Sequence, residues 1–168
     1  AIAPAQFLTA NGGRDDLVAL AEGIIDNPNA VTRFALVSKD RRIPPPTGAD
    51  KTSIIAELPD DQAGSLLGLL EQFSTRGINL SLIESRPIGD SLGRYRFVID
   101  ADGHILEERM ADALLGLRRF SPKLLFLGSY PRADHVAVDY HTRYSDDVFV
   151  EARDWLRGLL TEEPAESS

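Results

Sequence analysis

Apolar and polar positions change rhythm several times along this chain, and each change predicts an element or a break. Leu17, Val18, Leu20, Ala21 and Ile24 recur at helical spacing over 14–24. Asn27-Pro28-Asn29 then breaks that pattern, and 31–37 reads as a strand. Lys39-Asp40-Arg41-Arg42 runs into Pro44-Pro45-Pro46-Thr47-Gly48, the strongest boundary in the sequence. Three consecutive prolines favour an extended, semi-rigid connector.

Beyond the prolines, residues 52–58 alternate as a strand, and a helix carries Ala63, Leu66, Leu67, Leu70 and Phe73 until Gly77 ends it. Ile78, Leu80 and Leu82 are expected on one face of the next strand, which closes on Glu84-Ser85-Arg86-Pro87. Pro87 lacks a backbone N–H, so the ladder is expected to stop there. A turn at 89–93 leads to a strand with Tyr95, Phe97 and Ile99 on one face. Asp102-Gly103 is expected to open a helix bearing Leu106, Met110, Ala113, Leu114 and Leu117, and 123–130 form a last strand. The order is βαββαβ, which predicts an α+β protein of the ferredoxin-like, split-βαβ kind. With both helices on one face, the other sheet face needs an added element or a second copy of the chain to cover it. In the tail, Ser145-Asp146-Asp147 caps a helix with Val148, Ala152, Trp155, Leu156 and Leu159, and 162–168 are expected to fray.

Composition narrows the function. The chain has 168 residues, 43% of them apolar, enough for one domain with a real core. Its net charge of −8 argues against general nucleic-acid binding, which needs a positive field. No apolar run approaches the ~20 residues that span a bilayer, so a cytoplasmic protein is expected. The absence of cysteine removes disulfides, thiol catalysis and thiolate metal sites. His104, His135 and His141 lack helical i, i+4 spacing and join no other ligands, so no metal is expected and they read as ordinary surface or turn histidines. No glycine-rich phosphate loop occurs. The chain begins Ala1-Ile2-Ala3-Pro4 rather than with an initiator methionine, and is expected to be a processed or excised piece.

Some side chains carry candidate chemistry, each beside a plainer explanation. Gly64 at a helix start permits close approach to exposed N–H groups, which suit a carboxylate; equally, Gly64 and Gly68 would let the helix pack close. Asn79 and Glu84 offer acceptors for an ammonium group, and Leu66, Leu67 and Leu80 either enclose a ring or belong to the core. Arg86 pairs with Glu84 or reaches across a subunit interface. By residue type alone, Thr32 and Phe34 are ordinary strand residues and Arg33 a solvated charge. Asp26, before Asn-Pro, is as well explained by turn chemistry.

Glu84-Ser85-Arg86-Pro87, together with Gly64-Ser65-Leu66-Leu67, resembles the ACT regulatory domain of prephenate dehydratases. Asp26 followed by Thr32-Arg33-Phe34 resembles the signature near the end of that family's catalytic domain. The resemblance implies a catalytic-domain remnant over 1–43, a linker over 44–50, an ACT domain over 51–131 and a tail over 132–168 with a helix at about 146–160. It further implies conversion of prephenate to phenylpyruvate, carbon dioxide and water by the intact enzyme, with L-phenylalanine as allosteric effector and a homodimer or tetramer formed through the ACT domain. Thr32, Arg33 and Phe34 would be catalytic, and Gly64, Ser65, Leu66, Leu67, Asn79, Leu80, Glu84, Ser85, Arg86 and Pro87 would bind the effector. Aromatisation drives the decarboxylation, so no cofactor is expected, and the 168-residue chain alone is expected to be inactive. The alternative is a non-catalytic amino-acid-binding ACT module that regulates another protein.

Overall fold

The computed structural model describes residues 18, 20–24, 26–27, 32, 34–40, 42–59, 62–89 and 95–161. The chain divides into two units, Ala1–Lys39 and Asp40–Ser168. The described residues of the first unit include neither helix nor strand. That corrects the helix expected over 14–24 at positions 18 and 20–24, and the strand expected over 31–37 at 32 and 34–37. The other positions of both elements lie outside the described residues, as do 162–168. The physical reason is lack of burial. Leu20 and Leu36 are exposed and Phe34 is 88% exposed. A short amphipathic helix draws most of its stability from packing, and an unpaired strand gives up its ladder hydrogen bonds.

The second unit holds the expected βαββαβ order. It runs β1 (Asp50–Glu57), α1 (Ser65–Ser74), β2 (Leu80–Pro87), β3 (Tyr95–Asp102), α2 (Glu108–Phe120) and β4 (Leu124–Pro131). A 3-10 turn (Thr142–Tyr144) and α3 (Asp146–Thr161) follow. The sheet is antiparallel with order β2-β3-β1-β4, so β2 is an edge strand. Cross-strand pairs Ile54↔Ile99 and Ala56↔Phe97 put the apolar side chains of the two central strands on one face. Leu69 and Phe73 of α1 and Met110, Ala113 and Leu117 of α2 close over that face to make the core. Each large side chain buried there is worth roughly 1.5–3 kcal/mol.

Small residues let the helices approach. A β-carbon at Gly68 would lie 3.0 Å from the Phe120 ring, and one at Gly116 would meet the Gln72 amide. Arg76 Nε donates to Asp112 Oδ2 (2.6 Å) across the same seam. Gly77, at φ +64°, ends α1 in a Schellman turn: its N–H donates to Ser74 C=O, and the Ile78 N–H to Phe73 C=O. Ile78 and Phe73 both sit in the core, which seals the turn.

Three expectations change. A bulge between Leu80 and Leu82 pairs Leu80 with Ala101 but Leu82 with Asp100, so Leu82 turns to the face opposite Leu80. Strict alternation fails because one extra residue shifts every later side chain. The second helix starts at Glu108, not at Asp102-Gly103, and Leu106 sits in the preceding turn, 68% exposed. His104, in that turn, is fully buried rather than a surface histidine. The tail helix α3 is not the layer that covers the sheet. It is tied to the start of α2 by an Arg153–Glu108 ion pair and by the Glu108 N–H, which donates to Asp146 Oδ1 (2.8 Å). The sheet face bearing Ile55, Val98 and Leu125 therefore lacks a covering layer among the described residues.

Candidate effector site

Gly64 caps α1 in the left-handed conformation, at φ +91°, which favours glycine over any β-branched residue. Gly64 itself offers no side chain to cap this helix end, and a β-carbon there would have open space around it among the described residues. The Ser65 N–H donates to Gln62 C=O (3.1 Å), and the amides that follow it, with the positive end of the helix dipole, are the ones that suit an anionic group. Leu66 and Leu67 follow on the first turn, and Leu67 is 58% exposed. They form an apolar rim beside the polar helix end rather than part of the core.

The β2 terminus lies at the same end of the sheet. Glu57, which ends β1 shortly before α1, pairs with Arg96, and Arg96 pairs with Arg86. Glu84 and Arg86 share one sheet face and an ion pair, Arg86 Nη2 donating to Glu84 Oε1 (2.5 Å). Both are exposed, so the pair adds at most about 1 kcal/mol to stability. Ser85, opposite Phe97, points to the helix face, and Pro87 ends the strand opposite Tyr95.

Asn79 and Leu80 lie at the other end. Leu80 pairs with Ala101, and Asn79 Nδ2 donates to Asp102 Oδ2 (2.7 Å). Asp102 also faces Arg132 Nη1 at 3.4 Å. Arg132 forks onto Asp134 through Nε (2.9 Å) and Nη2 (2.8 Å), which holds the Asp134 carboxyl well below its ordinary value and raises the guanidinium's. Within one copy, then, Gly64–Leu67 and Glu84–Pro87 share one end of the sheet, with Glu84 and Arg86 on the face away from the helices, and Asn79 lies at the other end.

The candidate catalytic residues gain no site among the described residues. Thr32 and Phe34 are exposed on irregular backbone, Asp26 likewise, and Arg33 lies outside the described residues. Among the described residues no group of three or more His, Asp or Glu side chains is placed to hold a metal ion, and no helix is long and apolar enough to cross a membrane.

Sequence reasoning missed a buried polar cluster in the turn before α2. His104 Nδ1 accepts from the Leu106 N–H (3.1 Å), so Nε2 carries the proton and donates to Pro44 C=O (3.0 Å). The His104 N–H donates to Glu107 Oε1 (2.6 Å), and Glu107 Oε2 takes Arg109 Nε (2.8 Å). Arg109 is fully buried, donates through Nη1 to Gly77 C=O (3.1 Å), and stacks 3.8 Å from the Tyr140 ring centre. The available signal was Gly103: at φ +131°, any β-carbon there would press on Glu107 and Arg109.

A four-stranded antiparallel sheet under two helices, with a glycine-led helix end and a Glu-Ser-Arg-Pro strand end at one end of the sheet, is the ferredoxin-like arrangement of an ACT domain. No family model matches the chain. Its curated relatives are prephenate dehydratases, and the chain is homologous to the C-terminal part of those proteins. It is 42% identical over 150 residues to the prephenate dehydratase of Amycolatopsis methanolica, covering 89% of this chain and 49% of that protein. With that of Mycobacterium avium (strain 104) the identity is 47% over 115 residues, 68% of this chain and 36% of the relative. The crystal structure of prephenate dehydratase in complex with L-Phe from Arthrobacter aurescens superposes with a TM-score of 0.71 at 49% identity, covering 74% of this chain and 41% of that one. The chain thus spans about half or less of the length of these relatives.

Proposed function

We propose that this chain is the phenylalanine-sensing portion of a prephenate dehydratase, with residues 1–43 closing the catalytic domain, 44–50 linking, 51–131 forming the ACT domain and 132–168 a helical tail. The observation that carries the proposal is the glycine-led start of α1 at the same end of the sheet as the Glu84–Pro87 strand end. It occurs in a chain 49% identical to a prephenate dehydratase solved with L-Phe. The Leu66 and Leu67 amides of the first turn of α1 receive the amino acid's carboxylate, the Ser65 N–H being held by Gln62 C=O (3.1 Å), while Glu84 takes its ammonium and the Leu66 and Leu67 side chains its ring. Ser85, Arg86 and Pro87 shape the strand end.

Asn79 and Leu80 complete the site from a second copy. Because β2 is an antiparallel edge strand, two copies pairing along it about a two-fold axis set the β2 start of one beside the β2 end of the other. The assembly is a homodimer, or a tetramer built from it. Regulation follows if phenylalanine binds one arrangement of the paired ACT domains better than another, since only differential affinity shifts an equilibrium.

In the whole enzyme, a cytoplasmic lyase, prephenate loses carbon dioxide and its ring hydroxyl as water to give phenylpyruvate. Arg33 clamps a substrate carboxylate and Thr32 hydrogen-bonds the departing oxygen, with Phe34 lining the pocket. No cofactor is needed, because aromatisation supplies the driving force. Turnover of prephenate by a longer form that contains residues 1–168, inhibited by L-phenylalanine, is the expected result. Comparable turnover by the 168-residue chain alone would overturn the division of labour. A non-catalytic ACT module is the second possibility, since Asp40–Ser168 forms a unit with its own core and the whole α1–β2 constellation. It would be favoured if the chain binds phenylalanine and no longer form turns over prephenate.

A further inference from the structure

We propose that His104, Glu107 and Arg109 are positioning residues of a buried relay that ties the proline segment 44–48 to the junction of α1 and β2, so that effector binding tightens the docking of that segment. The inference rests on the phenylalanine-sensing function proposed above.

The proline segment is not a free tether at its C-terminal end. Pro44 C=O accepts from His104 Nε2, and the Asp50 carboxylate accepts from the Thr47 N–H (2.7 Å), the Thr47 hydroxyl (2.9 Å) and the Gly48 N–H (3.0 Å). Gly48 C=O in turn accepts from the Val138 N–H (2.9 Å). From Pro44 the contacts run without interruption through the His104 ring and N–H, Glu107 and Arg109 to Gly77 C=O. Gly77 joins the two elements that carry all the candidate effector residues, Gly64–Leu67 before and on α1 and Asn79–Pro87 at and along β2. His104 and Arg109 are fully buried, where a polar chain is strong when complete and costly when broken. A half-open cleft of about 250 Å³, lined by Pro46, Leu106, Val138 and Tyr140 among others, borders the segment. Two positions, one of them favoured when the α1–β2 junction is held, are what coupling requires.

The test is amide hydrogen exchange at Thr47, Gly48 and Val138 in the 168-residue chain, with and without saturating L-phenylalanine, alongside calorimetry of the same sample. Phenylalanine is expected to slow exchange at these amides by about 5-fold or more, the lower end of ordinary coupling. In His104→Ala, phenylalanine should still bind while that slowing is lost, and His104→Gln, which keeps a donor for Pro44, should restore part of it. Binding to the unsubstituted chain with no change at these amides overturns the relay and leaves the sensing function standing. So does slowing in His104→Ala equal to that in the unsubstituted chain. Absence of any phenylalanine binding overturns the sensing function and the relay with it. If His104→Ala fails to fold, no slowing in the unsubstituted chain still overturns the relay, and slowing in His104→Gln greater than in the unsubstituted chain does so as well.

Discussion

The ring of Tyr144 occupies the space in front of Gly77: a β-carbon at position 77 would fall 2.2 Å from Tyr144 Cδ2. Gly77 also holds φ +64°, so the site refuses a side chain on two counts. Gly77→Ala is expected to destabilise the fold by about 1–3 kcal/mol, read as a lower urea midpoint at unchanged m. In a Tyr144→Ala background the same substitution should cost less, because only the backbone term remains. Equal costs in both backgrounds would show that the ring moves aside freely.

Arg109 and Glu107 form a pair whose arginine is fully buried. Arg109→Met should cost roughly 3–5 kcal/mol, since it strands the Glu107 carboxylate and uncaps Gly77 C=O. Adding Glu107→Gln should recover part of that loss, measured by chemical denaturation.

The Arg132 fork on Asp134 sets a pH dependence with a definite sign. Hydrogen bonds from the guanidinium, then from the Val136 N–H, depress the Asp134 carboxyl in the folded state from an ordinary value of 3.8. Its contribution is therefore complete above the unfolded value and lost as pH falls through the lower folded one. A carboxyl-carbon NMR titration should find Asp134 ionised at pH values where ordinary aspartates are protonated, and Arg132→Gln should return it to the normal range.

Much of the second unit was legible because local rules agreed there. Alternation, the glycine stop at Gly77 and the 3.6 period of α2 all pointed to one fold. The β2 bulge was not legible: it is a property of pairing, and nothing in Leu80-Ser81-Leu82 marks the extra residue. His104 was misplaced because its burial depends on Pro44, 60 positions earlier. The candidate effector residues were chosen by motif, but a motif carries no information about which end of the sheet each one occupies. Asn79 thus separates from Glu84 only once the register is known. In the first unit the helical and strand periods were real patterns, but their described positions are exposed, as Phe34 at 88% shows.

The central claim is that the start of α1 and the end of β2 bind phenylalanine, and isothermal titration of L-phenylalanine into the 168-residue chain tests it most directly. Saturable binding is expected, weakened at least about 10-fold, or 1.4 kcal/mol, by Glu84→Gln and more by Gly64→Val. Circular dichroism should show the helix content retained in both variants, because neither position lies in the core. Absence of binding to the unsubstituted chain, or unchanged affinity in folded Gly64→Val, would contradict the claim.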